Sequence, residues 1–437
     1  MIRERVEVVE WEKRPEVVVG FDSRRDAEGW ARDVRDTNQY IPSRVVGGLQ
    51  GPALEAEASF LAGEPVVKVR ARHIVGWLEV AGRTLVVLPK FAIEEDIGSA
   101  GSVFGRILEY SQSGRFALHG LVAGTSARGS IADIFARAFL REIQPAMQQG
   151  LPHGYVRQRV RSPVLSGRLL HEALYPEIIY APHLLPQDAQ RYHADIPVSR
   201  LLKWCCWSLR RLVRSPLLMG TLAEVESRFL GVPTVLPHEA QLWRMRLPPA
   251  QVHFQPAVDL ARLLARNRLV APGPGRRTVP GFVFSGWHVF QEYCRRLLRE
   301  AVGLLGEGWR LSSSQMLLAT PASGKGGALR CEPDFILSHA GRPIAALDAK
   351  YKKSSKAVRP DEANVYQAVC SARALDAPIA CLVQPAPLKP EVHSWDLVGG
   401  GMPETIRVLC VNPATVSTSS RHRRHVDAVA RIIKKFR

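Results

Sequence analysis

The spacing of apolar and polar residues changes character along the chain. Up to about residue 112 it favours short strands. Residues 6–10, 16–20 and 65–72 are rich in valine, and residues 26–36 have helical spacing between them. Residues 73–80 and 84–90 flank Ala81-Gly82-Arg83 and predict a hairpin. Pro89 ends its second strand, and Arg83 and Lys90 read as solvated charges at a strand edge. From 113 to about 275 the period becomes helical. A helix is predicted over 131–143 and closed at Gln149-Gly150, a second over 199–214 and stopped by Pro216, and a third over 256–269. Trp204, Trp207 and Leu212 read as a packing stripe, and Arg262, Arg266 and Arg268 as a solvated face. Residues 155–164 alternate as a strand would.

The stretch 271–280, with its Pro-Gly-Pro-Gly run, has the composition of a linker. Beyond it come a helix over 287–302, a strand at 315–319, a glycine-rich loop at 323–327, and two apolar runs, 331–337 and 343–351. His339-Ala340-Gly341-Arg342 joins those runs. A polar turn at 354–361, a helix over 364–375, strands at 379–384 and 405–411, and a basic helix after Thr418 complete the chain. This order predicts a mixed sheet flanked by helices. The expected fold is mixed α+β and α/β in three parts: a β-rich domain over 1–112, a mostly helical region over 113–275, and a mixed-sheet domain over 276–437.

Composition narrows the function. The chain has 437 residues, 46% of them hydrophobic, enough for several cores. No apolar run approaches the roughly 18 residues of a membrane helix. The charged start Met1-Ile-Arg-Glu-Arg5 lacks an apolar signal region, so a cytoplasmic protein is expected. The seven cysteines show neither Cys-X-X-Cys nor zinc spacing, which predicts buried free thiols. A net charge of +18 favours a polyanionic partner, with nucleic acid the first choice. Ser323-Gly-Lys-Gly-Gly327 lacks the first glycine and the Ser/Thr of a phosphate-binding P-loop, so no bound nucleotide is expected.

The candidate chemistry lies in the hairpin. With the turn centred on Gly341, Asp334 falls opposite Asp348, which brings Cβ atoms to roughly 4.5–5.5 Å. Lys350 shares the face of Asp348, while Leu347 and Ala349 point into a core. Two such carboxylates repel unless a cation sits between them. Mg²⁺, a hard oxygen-seeking ion, fits that need, and Mn²⁺ could take its place. Lys350 would orient a water or offset developing charge, giving phosphodiester hydrolysis. The alternative is a surface salt bridge, because Glu332 faces Lys350 on the same count. Pro-Asp followed by Asp-X-Lys is a short pattern that chance also supplies.

The series Pro333-Asp334, Asp348-Ala-Lys350 and a later helix with Gln367 resembles a PD-(D/E)XK nuclease. The whole chain resembles the McrC family, the nuclease subunit of modification-dependent restriction systems. The likeness rests on His73-Ile-Val-Gly-Trp77, Val87-Leu-Pro-Lys90, Phe139-Leu-Arg-Glu142, Gly150-Leu151, Tyr155, Leu165-Ser-Gly-Arg-Leu169, Asp334-Phe-Ile-Leu337, Asp348-Ala-Lys-Tyr-Lys352 and Tyr366-Gln367. It implies a Mg²⁺-dependent endodeoxyribonuclease with Asp334 and Asp348 on the metal, Lys350 positioning or stabilising, and Gln367 assisting. The family glutamate of the first nuclease helix is replaced by Gln291, so either Glu292 supplies the carboxylate or a third ligand is missing. Ser371 stands in place of a tyrosine found in the family, and residues 1–64 carry no resemblance. Implied partners are double-stranded DNA and an McrB-like AAA+ GTPase hexamer that reads modified cytosine. A non-catalytic activator of the GTPase and a stand-alone repair nuclease are the alternatives.

Overall fold

The computed structural model describes residues 5–10, 17–47, 51–90, 97–111, 131–172, 179–270, 278–319, 328–351, 359–386, 389–399 and 401–437. The expected glycine-rich loop, and all but the end of the polar turn after the hairpin, lie outside these residues.

The N-terminal stretch is β-rich, as its valine-rich runs require. It comprises β1 (Arg5–Val9), β2 (Val17–Gly20), α1 (Arg24–Asp36), α2 (Ser43–Val46), β3 (Leu54–Leu61), β4 (Glu64–Ala71), β5 (Ile74–Val80), β6 (Arg83–Leu88) and α3 (Ile97–Ser111). β2, β4 and β3 form an antiparallel sheet. α1 starts at Ser23, whose hydroxyl accepts the Asp26 N–H. It buries Ala27, Trp30, Ala31 and Val34, and Trp30 donates its indole N–H to the Val80 carbonyl at 3.2 Å.

The strand-edge reading of Arg83 and Lys90 is corrected here. β6 lies between β5 and β1, which pairs with it in parallel, so it has no free edge. Arg83 lies 3.9 Å over the Phe21 ring, and Lys90 is only 6% exposed.

Residues 132–266 form a compact unit of their own. α4 (Ile131–Gln148) leads to β7 (Gly154–Ser162), β8 (Arg168–Leu169) and β9 (Leu185–His193). α5 (Pro197–Leu212), α6 (Pro216–Ser227), α7 (Glu239–Arg244) and α8 (Gln255–Arg266) follow. The region is less helical than its pattern predicts, because β7, β9 and β8 make an antiparallel sheet. Pro216 opens α6 beside its cap Ser215 rather than closing the helix before it, consistent with proline's fit to a first helical turn. Trp204 is buried, as the packing stripe requires. Arg262 turns inward to Asp259 and the Met245 carbonyl instead of lying on a solvated face.

The chain then returns to the first unit. β10 (Arg268–Val270) pairs with β11 (Thr278–Ser285), which pairs with β5. Residues 278–280 therefore belong to a strand, not to a linker. Contacts unite residues 1–131 and 267–437, a division that differs from three successive domains.

α9 (Gly286–Gly303) follows β11 directly. The rest comprises β12 (Trp309–Ser312), β13 (Met316–Ala319), β14 (Leu329–Cys331), β15 (Phe335–His339), β16 (Arg342–Ala349), α10 (Glu362–Ala374), β17 (Ile379–Pro385), β18 (Glu391–Asp396), β19 (Thr405–Val411) and α11 (Ser419–Lys434). A mixed six-stranded sheet runs in the order β12-β15-β16-β17-β19-β18, with β16, β17 and β19 parallel. α10 packs over Ala346, Leu382 and Val408. α11 buries Val426, Val429 and Ile433, and exposes Arg421, Arg423, Arg424, Arg431 and Lys434; Arg437, beyond its end, is also exposed.

The join between the two ends of the first unit leaves no room for a side chain at Gly76 of β5. A Cβ there would stand 2.1 Å from the Phe282 carbonyl oxygen of β11, at a φ of +148°. Gly76→Ala is expected to destabilise the protein by about 1–3 kcal/mol through overpacking, measured as a lower denaturant midpoint. An unchanged midpoint would show that this crossing is not tight in solution.

Candidate active site

A two-residue turn and a bulge together set the register of the hairpin. Ala340 and Gly341 hold φ values of 50° and 81° and form the turn between His339 and Arg342. The register then shifts between Leu337 and Ser338, which pair with Ala345 and Pro343. The turn alone would put Asp334 one residue out of step with Asp348. The bulge restores the count, so Phe335 pairs with Leu347 and the next residues outward are the two aspartates. Asp334 itself lies in a bend between β14 and β15, not within one strand running from 331 to 337.

Each carboxylate is held by named groups. Asp334 Oδ2 accepts the Ala349 N–H at 2.8 Å, and Oδ1 accepts the Gln291 side-chain amide from α9. Asp348 is 4% exposed. Its Oδ2 lies 3.2 Å from Lys350 Nζ and, among the described residues, accepts no hydrogen bond. Lys350 Nζ also donates to Gln367 Oε1 of α10 at 2.8 Å. The lysine thus turns to Asp348 and Gln367, and Glu332 is exposed.

The electrostatics follow from this crowding. Burial, then the charge of Asp348, pushes the Asp334 carboxyl up to about 6; the Ala349 N–H and Lys350 oppose the rise. Asp348 Oδ2 is buried without a hydrogen bond among the described residues and faces the Lys350 ammonium, and with a second carboxyl beside it the pair would gain from further positive charge. The donor set fits a hard divalent cation: carboxylate oxygens, no sulfur, and an open oxygen on Asp348.

The structure brings Asp334, Asp348, Lys350 and Gln367 together. Glu292 pairs instead with Arg295 at 3.2 Å. Gln291 is the α9 residue that meets Asp334, so the one-residue shift that would have supplied Glu292 as a ligand does not occur here.

Sequence reasoning missed the support behind the lysine. Tyr351 is buried and donates its hydroxyl to Glu10 Oε2 at 2.8 Å. Lys90 Nζ stands 4.0 Å over the Tyr351 ring, and Phe290 packs beside it at 5.6 Å between centroids. A Cβ on Gly286 would meet Glu10 Oε2 and Tyr351 Cε1, each at 2.8 Å, so glycine is needed there. Burial raises the Tyr351 phenol well above its ordinary value, so it stays protonated and donates. The neighbouring positions of Lys350 and Tyr351 were the available signal; nothing local marks Glu10.

The sheet presents paired carboxylates and a lysine at one strand end, an oxygen donor set that a divalent cation would fit. The sequence profile of the McrBC 5-methylcytosine restriction system component family matches residues 69–385, well over half of the chain, and the protein belongs to that family. No curated protein matches it. Among solved structures, it is similar to a chain of the refined half-complex from a tetradecameric assembly of Thermococcus gammatolerans McrB AAA+ hexamers with bound McrC. The TM-score is 0.63 at 16% identity, over 97% of this chain and 100% of that one. A chain of the Thermococcus gammatolerans McrBC complex determined by cryo-EM aligns with a TM-score of 0.49 at 16% identity, over 68% of this chain and 88% of that one. At this identity the likeness is one of fold. Among the described residues no helix is long and apolar enough to cross a membrane.

The raised Asp334 carboxyl has a thermodynamic consequence. Between about pH 4 and pH 6 the folded state holds a proton that the unfolded chain releases. Asp334 therefore favours folding relatively more below that window, and the advantage is lost as pH rises through 6. His425, whose burial lowers it to about 4, acts in the opposite sense over part of the same range. The comparison is thus between the metal-free protein and its Asp334→Asn variant. The melting temperature of the former should fall relative to the variant from pH 5 to pH 7, and Mg²⁺ should restore more of it at pH 7. Parallel pH profiles for the two proteins would refute the coupling.

Proposed function

We propose that this chain is the Mg²⁺-dependent DNA endonuclease subunit of an McrBC-type restriction system, with a PD-(D/E)XK nuclease domain. The observation that carries the reading is the pairing of half-buried Asp334 with buried Asp348, with Lys350 Nζ 3.2 Å from Asp348 Oδ2. Asp334 and Asp348 would hold the ion, with Mn²⁺ an acceptable substitute. When bound, it supplies charge that polarises a phosphodiester and acidifies a water.

The chain's own residues supply the rest. Lys350, fixed between Asp348 and Gln367, offsets charge at the phosphate as it develops. Gln367 holds the ammonium in place without adding a charge. Gln291 fixes the rotation of the Asp334 carboxylate. The excess of basic residues, several exposed on α11, suits a DNA substrate.

Family membership supports a place in a restriction system directed at 5-methylcytosine. The structurally similar chain comes from an assembly of McrB AAA+ hexamers with bound McrC. By that likeness, the partner here is an McrB-like GTPase ring, which would read the modified base. One observation favours a second reading, a non-catalytic activator of the ring: the amide of Gln291 meets Asp334 where a third carboxylate would strengthen metal binding.

Two substitutions separate the readings. Asp348→Ala should abolish Mg²⁺-dependent cleavage of methylated DNA while leaving the fold and ring binding intact. Lys350→Ala should lose cleavage yet still stimulate GTP turnover by the ring. Full cleavage by Asp348→Ala would remove the site assignment. GTP stimulation by a wild-type protein that never cleaves would establish the activator.

A further inference from the structure

The outer edge of the C-terminal sheet carries a second donor set, of softer chemistry than the aspartate pair. β18 is the outermost strand and pairs only with β19 within the sheet order. Their antiparallel register puts Glu391 directly opposite Cys410 and His393 opposite Val408. Residues two apart on a strand share a face, so Glu391 and His393 project together beside the Cys410 thiol. The ligand atoms of the three all lie within 4.8 Å of one another. His393 Nε2 stands 3.2 Å from Glu391 Oε1. That ring nitrogen is shielded from solvent and makes no hydrogen bond among the described residues.

A surface ion pair would account for the carboxylate and the imidazole. It would not account for the thiol that converges on them. We propose that Glu391, His393 and Cys410 form a Zn²⁺ site, with a water in the fourth position. Sulfur, nitrogen and oxygen together suit a borderline-soft cation and disfavour Mg²⁺, which takes oxygen ligands. Tetrahedral zinc with these ligands needs donors roughly 3.4–3.6 Å apart. The carboxylate and ring nitrogen are already about that close, and the thiol sulfur lies within 4.8 Å of both. Cys410 is buried, whereas the side chains of Glu391 and His393 are 49% and 35% exposed, which gives the ion a route in from solvent. On binding, the thiol gives its proton to solvent and the thiolate becomes the ligand.

The site fastens an edge strand to its single neighbour in the sheet. It is separate from the aspartate pair: Asp348 pairs with Leu382, Leu382 with Val408, and Val408 with His393. Three strand spacings lie between, roughly 14 Å. The zinc site therefore stands whether or not the aspartate pair cleaves DNA.

Cobalt(II) is the probe, titrated under reducing conditions into the full-length protein. The expected result is a thiolate-to-cobalt charge-transfer band with tetrahedral d–d absorption, displaced by Zn²⁺ and indifferent to excess Mg²⁺. Cys410→Ser should abolish the charge-transfer band. His393→Ala, at a partly exposed position that tolerates truncation, should weaken cobalt affinity by at least about tenfold, with the circular dichroism spectrum unchanged. No such band in the wild type at millimolar cobalt would overturn the proposal. So would a band that survives Cys410→Ser, or an affinity indifferent to His393→Ala.

Discussion

Two carboxylates that approach one another inside a protein need a reason to stay. Here the reason is mechanical. Asp334 is anchored by the Ala349 N–H and the Gln291 amide, and Asp348 projects from a strand buried between β15 and β17. Neither can swing into solvent without breaking the sheet, so burial, and after it the charge of Asp348, raises the Asp334 carboxyl to about 6. A turn and a compensating bulge keep the two in step. Either alone would move the second strand by one residue and send Asp348 to the opposite face. Everything that Lys350 and Gln367 add depends on that register.

The strand that carries the site is held from behind. One residue past Lys350, Tyr351 leaves the sheet and enters a pocket made by Glu10 and Lys90 from the N-terminal end of the chain. Glu10 follows β1 and Lys90 follows β6, and these strands pair in parallel. Their ends therefore arrive together, and the buried charges come as a set. Isolated, each would be costly to bury; as a cluster they bind the start of the chain to the strand exit beside Lys350. Gly286 lets α9 begin against this cluster, and α9 then delivers Gln291 to Asp334. One contact thus positions groups on both sides of the aspartate pair.

The legible parts were those written in local pattern. Apolar, valine-rich runs marked β4, β5, β6, β17 and β19, and helical spacing marked α1, α4, α5, α9 and α10. The hairpin count brought Asp334 to Asp348, although it replaced a two-residue turn and a bulge with a single centred turn. What escaped was non-local. β3, β9 and β18 carry mixed or polar residues, and they become strands because a neighbour offers hydrogen bonds. Arg83 and Lys90 looked solvated because nothing in the sequence announces that β1 will cover β6. Residues 278–280 looked like part of a linker because the proline and glycine around them hide a strand start that pairs back onto the three-residue β10. The donor set at Glu391, His393 and Cys410 has no motif spacing at all, since its members meet through strand pairing.

The stretches Val87-Leu-Pro-Lys90 and Asp348-Ala-Lys-Tyr-Lys352 acquire a common meaning in this light. They lie far apart in sequence, one on the N-terminal hairpin and one on the strand of the aspartate pair. In the folded chain the last residue of the first lies over the tyrosine of the second. Lys90 therefore needs no role as a DNA contact or as an edge charge to explain its place; burying its ammonium on an aromatic face beside Glu10 is enough. The N-terminal sheet and the sheet that carries the aspartates are built to be read as one piece. A chain with the C-terminal sheet alone would lack the groups that fix the exit of β16, and with them the placement of Lys350.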